Sequence, residues 1–177
     1  MEYLNGKTWA QITREERFFC AELYNELKMN SKPFLDEYQL SNQKYEIGFE
    51  VCFYRDLLKA YKMENFDFPL KRTFDLVLFS DKEIHIFEAK SQQGFVNEQL
   101  DNFKEDRDKI RCLFEKINEE KKLKLNIPEV KLWAIISSKY EPKEETRKYF
   151  EKIISWRDIY NLYKNELYKR ADDIYND

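Results

Sequence analysis

The chain has 177 residues, enough for one domain that buries a real core. Apolar residues at 42% and aromatics at 16% exclude a disordered segment, and 3 Gly with 4 Pro leave little material for long loops. A net charge of −3 excludes a uniformly basic nucleic-acid binder but not a local basic groove, and the acidic excess lies in the first seventy residues.

Cys20, Cys52 and Cys112 are odd in number and scattered, with no C-x-x-C spacing. They read as small buried apolar residues of a reducing compartment rather than disulfide partners or zinc ligands. No basic-then-apolar leader opens the sequence, and no stretch approaches the roughly 18 apolar residues that span a bilayer. The expectation is one domain over residues 1–177, soluble and cytoplasmic, with no membrane partner.

In chain order, Thr13-Arg14-Glu15-Glu16 has the pattern of a capping box, and Phe18, Ala21 and Leu27 continue at helical spacing to about Lys28. Ser31-Lys32-Pro33 breaks that helix. A second helix is predicted after Ser41-Asn42, where Ile47, Val51, Tyr54, Leu58 and Tyr61 form one apolar stripe. Residues 73–79 and 84–90 are short apolar runs separated by Ser80-Asp81-Lys82-Glu83, the pattern of an antiparallel hairpin. Phe95 to Glu120 is helical, with Gln99, Phe103, Ile110, Leu113 and Ile117 on one face. Strands are predicted at 130–136 and 152–155, with a short helix at 143–150 between them and a terminal helix at 159–168. The order is α-α-β-β-α-β-α-β-α, a mixed α/β architecture with helices against a small sheet.

Three residues resist a purely local explanation. Asp75, Glu88 and Lys90 each interrupt an apolar strand, where a charge costs several kcal/mol unless paired or ligated. Side-chain alternation puts Glu88 and Lys90 on one face. If Asp81-Lys82 is a two-residue loop, Asp75 falls directly opposite Glu88; a three-residue loop would set it against Phe87, on the other face. Two facing carboxylates repel, so one holds a proton unless a cation intervenes. Lys90 supplies one positive charge, and Mg²⁺ suits the remainder because it prefers oxygen ligands and keeps several waters. A buried structural salt bridge among the same three groups is equally compatible with the spacing.

Phe74-Asp75 followed thirteen residues later by Glu88-Ala89-Lys90, on paired strands between helices, resembles the PD-(D/E)XK nuclease superfamily. The resemblance covers the element order from about 42 to 168, with Phe74 standing where the motif name has proline. It implies a restriction-endonuclease-like α/β fold: a mixed sheet of four strands or slightly more, flanked by helices, with an added N-terminal helix. It also implies Mg²⁺ (or Mn²⁺) on Asp75, Glu88 and the Ala89 carbonyl, with Lys90 positioning the attacking water. A further glutamate on the helix before the first strand is matched best by Glu50, with Glu46 and Glu22 as alternatives. Gln99 matches a glutamine that some members carry on the next helix. The implied activity is phosphodiester hydrolysis, most of all as a DNA endonuclease of defence, repair or recombination. RNA is a second possible substrate and a homodimer a possible assembly. The rival readings are a catalytically inactive domain of this fold that binds nucleic acid or a protein partner, and a structural subunit.

Elsewhere, His85 is the only histidine, which excludes Ser/His and Cys/His machinery, and it reads as a partly buried strand residue opposite Glu88. Lys71-Arg72 and the cations between Lys139 and Lys152 are candidate phosphate contacts, although such runs are more often simply solvated. The run Lys104 to Lys109 reads as an outer helix face with i,i+4 pairs. Ser91, Gln92 and Gln93 are placed to line the site, and Trp156 with the Tyr-rich terminal helix reads as core or a dimer face. Three scattered glycines cannot form a phosphate-binding loop.

Overall fold

A computed structural model describes residues 3–64 and 67–175. Five strands form one sheet in the order β1-β2-β3-β4-β5: β1 Glu46–Val51, β2 Phe74–Phe79, β3 Glu83–Ala89, β4 Glu129–Ile136 and β5 Lys152–Ser155. The first three pair antiparallel, while β4 and β5 run parallel to β3, so the sheet is mixed. The parallel pairings need crossovers, supplied by α5 (Asn97–Lys121) between β3 and β4 and α6 (Glu144–Arg147) between β4 and β5. The remaining helices are α1 Trp9–Ile12, α2 Glu16–Asn30, α3 Lys32–Glu37, α4 Phe53–Ala60, α7 Trp156–Tyr163 and α8 Glu166–Asp173.

Because strand side chains alternate, the sheet builds a core on each face. Leu76, Leu78, Phe87, Ala89, Trp133, Ile135 and Ile154 meet Phe19, Leu23, Phe34, Trp156 and Tyr168 from α2, α3, α7 and α8. Val77, Ile84, Ile86, Leu132, Ala134 and Ile136 meet Phe53, Tyr54, Phe103, Ile110, Leu113 and Ile117 from α4 and α5. Burial on both faces explains why β4 reads as a continuous apolar run rather than an alternating one. Trp156 and Tyr168 are fully buried and stacked, which makes them core. Among the described residues no helix is long and apolar enough to cross a membrane, and the three cysteines are free.

The structure departs from the sequence expectation in four places. The sheet has five strands rather than four, because the segment expected to be one helix after Ser41-Asn42 is strand β1 followed by the shorter α4. Tyr45, Ile47 and Phe49 alternate and pack on one core, a period-2 pattern competing with the helical one, and pairing with β2 decides between them. The capping box at Thr13 does not form. Glu15 stands at the N-cap of α2 without a side-chain cap bond, Thr13 Oγ1 accepts only a 3.4 Å bond from Glu15 N, and Glu16 points elsewhere. The terminal helix is two helices, split where Lys164 takes φ +57° and Asn165 caps α8 by accepting from Leu167 N. Finally, Asp106 in the expected solvated run is 2% exposed. Lys109 and Glu105 in that run do form the i,i+4 pair.

Candidate active site

The hairpin decides whether the two acids meet. Ser80 N donates to Glu83 O at 2.9 Å across the two-residue loop Asp81-Lys82, and Phe79 pairs with Ile84 and Leu76 with Phe87. The paired register ends at Leu76↔Phe87, and Asp75 lies one residue beyond it, near enough that its charge acts on Glu88. Ala89 N donates to Asp75 Oδ2 at 2.9 Å, which ties the carboxylate to the neighbouring strand. Glu88 and Lys90 follow Ile84 and Ile86 onto the face that α4 and α5 cover, and they are 7% and 8% exposed. His85, Phe87 and Ala89 take the opposite face, where His85 is 1% exposed and bonded to Glu83 Oε2 at 2.7 Å.

Lys90 is held from both ends. Its N–H donates to Ile135 O at 2.7 Å, and its carbonyl accepts from Trp156 Nε1 at 3.2 Å. Its Nζ lies 3.3 Å from Glu88 Oε1 and 3.9 Å from Glu16 Oε1. Glu16 is the residue the sequence analysis missed. Its Oε2 accepts from Ser91 N at 2.6 Å across 75 positions of sequence, so the first turn of α2 is anchored onto the site. Gln92 strengthens the same contact: its side chain accepts from Arg14 Nε and donates to Arg14 O.

Electrostatics follow from this crowding. Burial and the charge of Asp75 push the Glu88 carboxyl up to about 8, with Lys90 opposing. Burial also raises Asp75, against the Ala89 N–H and Lys90, and raises Glu16 against Lys90. Burial alone would lower Lys90; Glu88, Glu16 and Asp75 outweigh it and hold the amine above its ordinary value.

The other expected residues are placed as follows. Glu50 lies on β1, not on a helix, at φ +53°, and the β1–β2 ladder skips Glu50 and Asp75 between the pairs Phe49↔Leu76 and Val51↔Phe74. It therefore stands beside Asp75, but its Oε2 is taken by Arg17 Nη2 at 2.6 Å. Glu46 is at the far end of β1 opposite Phe79, and Glu22 accepts from Nδ2 of Asn165, the N-cap of α8. The structure brings neither to the site. Gln99 falls in the first turn of α5, and its side chain lies outside the described residues.

Beside the carboxylates, Arg72 is fixed by the buried Asp106. Arg72 Nε donates to Asp106 Oδ2 at 3.0 Å, Tyr54 Oη donates to Asp106 Oδ1 at 2.6 Å, and the guanidinium lies 4.4 Å from the Phe103 ring centroid. Arg72, one of the two candidate phosphate contacts ahead of β2, is thus a half-buried, tethered cation whose charge reaches Glu88 and Asp75.

As a cation site, the cluster is chemically apt: hard carboxylate oxygens, whose mutual repulsion already favours neutralisation, on two adjacent strands. Among the described residues no group of three His, Cys, Asp or Glu side chains is assembled around one point. Any divalent ion would rest on Asp75 and Glu88, with backbone and water oxygens completing its shell. No family model, no curated protein and no solved structure matches the chain.

Proposed function

We propose that this chain is a metal-dependent nuclease of the PD-(D/E)XK kind, with a restriction-endonuclease-like fold, that hydrolyses phosphodiester bonds, DNA first among its substrates. The observation that carries the reading is the half-buried Asp75 and the buried Glu88 on neighbouring strands, close enough that the charge of Asp75 raises Glu88, with the Lys90 amine 3.3 Å from Glu88. Asp75, Glu88 and the Ala89 carbonyl would hold Mg²⁺ or Mn²⁺, which supplies Lewis-acid polarisation and a more acidic water. Lys90 contributes a donor that is always charged at neutral pH and fixed at its backbone, suited to orienting a water or a phosphate oxygen. Asp75, tied to the Ala89 N–H, keeps its second oxygen directed by the strand rather than free to rotate. Glu16, which grips both Lys90 and Ser91 N, fits the helix glutamate of the family better than Glu50, Glu46 or Glu22.

The test is cleavage of supercoiled plasmid, and then of RNA, in Mg²⁺ by wild type and Lys90→Ala. The expected outcome is at least a hundredfold loss of cleavage with the melting temperature within a few degrees. Equal cleavage by both proteins would trace the activity to a contaminant and end the proposal. The contacts of Lys90 with Glu88 and Glu16 favour a second reading, in which the cluster is a buried ion network in a domain that binds nucleic acid or a protein partner without cutting. That reading expects Lys90→Ala to lose several kcal/mol of stability and wild type to show neither cleavage nor a cation-dependent shift.

A further inference from the structure

Beyond the carboxylate cluster, one groove combines charge with apolar surface. It has a volume of about 520 Å³ and lies between α5 and α6, lined by Lys104, Arg107, Leu132, Glu145, Lys148 and Tyr149. Its lining holds three cations and one carboxylate, with Glu144 and Glu151 as further acids at the rim. The ion pairs at its rim are loose and solvated: Arg107 Nη2 lies 3.6 Å from Glu151 and Lys148 Nζ 4.0 Å from Glu144. Such pairs contribute little and exchange readily for a phosphate. Arg107 Nε is buried and has no hydrogen-bond acceptor among the described residues, an unmet donor that an anion would satisfy.

A chain of aromatic rings connects a sequence neighbour of the groove to Lys90. Phe150, next to Tyr149 in sequence, packs at a tilt with its ring centroid 4.9 Å from Phe95 and 6.0 Å from Phe103, while Lys90 Nζ lies 5.8 Å from the Phe95 ring. Phe95 thus contacts Lys90, while Phe103 and Phe150 are the chain neighbours of the groove residues Lys104 and Tyr149.

We infer that this groove seats one nucleotide of a polynucleotide strand whose neighbouring phosphodiester lies at the carboxylate site. Phosphate sits on Lys104, Arg107 and Lys148, and the base lies against Tyr149 and the Leu132 floor, a pairing of cations with aromatic surface that tolerates any base. The inference rests on the nuclease reading only for what happens to the strand; binding itself needs no metal.

The experiment is fluorescence anisotropy of a labelled single-stranded DNA oligonucleotide in EDTA, over a salt series. Proteins are wild type, Lys104→Ala/Lys148→Ala, Arg107→Ala and, as the control, Lys28→Ala, an exposed lysine in the last turn of α2. The first two variants alter exposed or half-exposed side chains, and melting curves check their folds. The expected result is at least tenfold weaker binding for the groove variants. The plot of log K against log salt should flatten by about 0.7 per cation removed, with Lys28→Ala binding as wild type does. Groove variants that bind as wild type does, or a wild type that binds no oligonucleotide, overturn the inference. Binding of adenosine monophosphate in place of the oligonucleotide would also overturn it, by identifying a free nucleotide as the ligand. Groove-dependent binding with no cleavage and no cation response would uphold the groove while removing the nuclease reading.

Discussion

A carboxyl group buried beside another carboxylate keeps its proton into the neutral range, and Glu88 is the residue here for which that matters most. Its folded value of about 8 stands above the ordinary 4.5. A raised acid contributes stability that is fully present below the unfolded value and is lost as pH rises from about 4.5 through 8. Without divalent cations, Glu88→Gln is therefore expected to be more stable than wild type at pH 7, by on the order of 1–3 kcal/mol. The gap should close near pH 5 and widen toward pH 8; urea midpoints across that range check it, and a variant less stable at pH 8 than wild type would refute it. Asp75, Glu88 and Lys90 were legible in sequence because each interrupts an apolar strand. Glu16 and Asp106 were not. The first has a local pattern that imitates a cap while its real partner is Ser91, and the second sits in a charge run that imitates a solvated face while Arg72 and Tyr54 close over it.

At the scale of elements, the revealing feature is β1. Its residues satisfy both a helical and an alternating apolar pattern, and only pairing with β2, a non-local fact, selects the strand. The hairpin, by contrast, was readable, since its register follows from a two-residue loop and fixes the faces of the paired residues Leu76 to Phe79 and Ile84 to Phe87. At Glu50 the chain turns to φ +53°, and beyond it Val51 packs with the opposite core from Ile47 and Phe49. A left-handed conformation strains any residue with a Cβ. Glu50→Gly should relieve that strain and remove a negative charge beside Asp75, at the expense of a surface pair with Arg17. In EDTA the expected change is a gain of about 0.5–1 kcal/mol, or roughly 1–4 °C in melting temperature. A lower melting temperature would mean that the Glu50 carboxylate stabilises the apo fold more than its backbone strains it.

For the molecule as a whole, the site lies at the end of the β2–β3 seam, where strands that serve both cores carry the two acids. A cation bridging Asp75 and Glu88 would tie those strands together only in the folded chain, so binding must appear as global stability. At roughly a tenfold excess over Kd, the gain is about 1.4 kcal/mol, which corresponds to a rise of roughly 3–6 °C for a domain of this size. Proton and cation compete for Glu88, whose folded value of about 8 means that at pH 6 an ion must first displace a proton. The shift with Mg²⁺ or Mn²⁺ is therefore expected to be larger at pH 8.5 than at pH 6, and absent in Asp75→Ala at both. Calorimetry or dye-monitored melting at the two pH values measures it. A wild-type shift that persists undiminished in Asp75→Ala would locate the ion elsewhere. No shift at either pH would leave the three charges as a buried ion network, which keeps the fold and removes the chemistry.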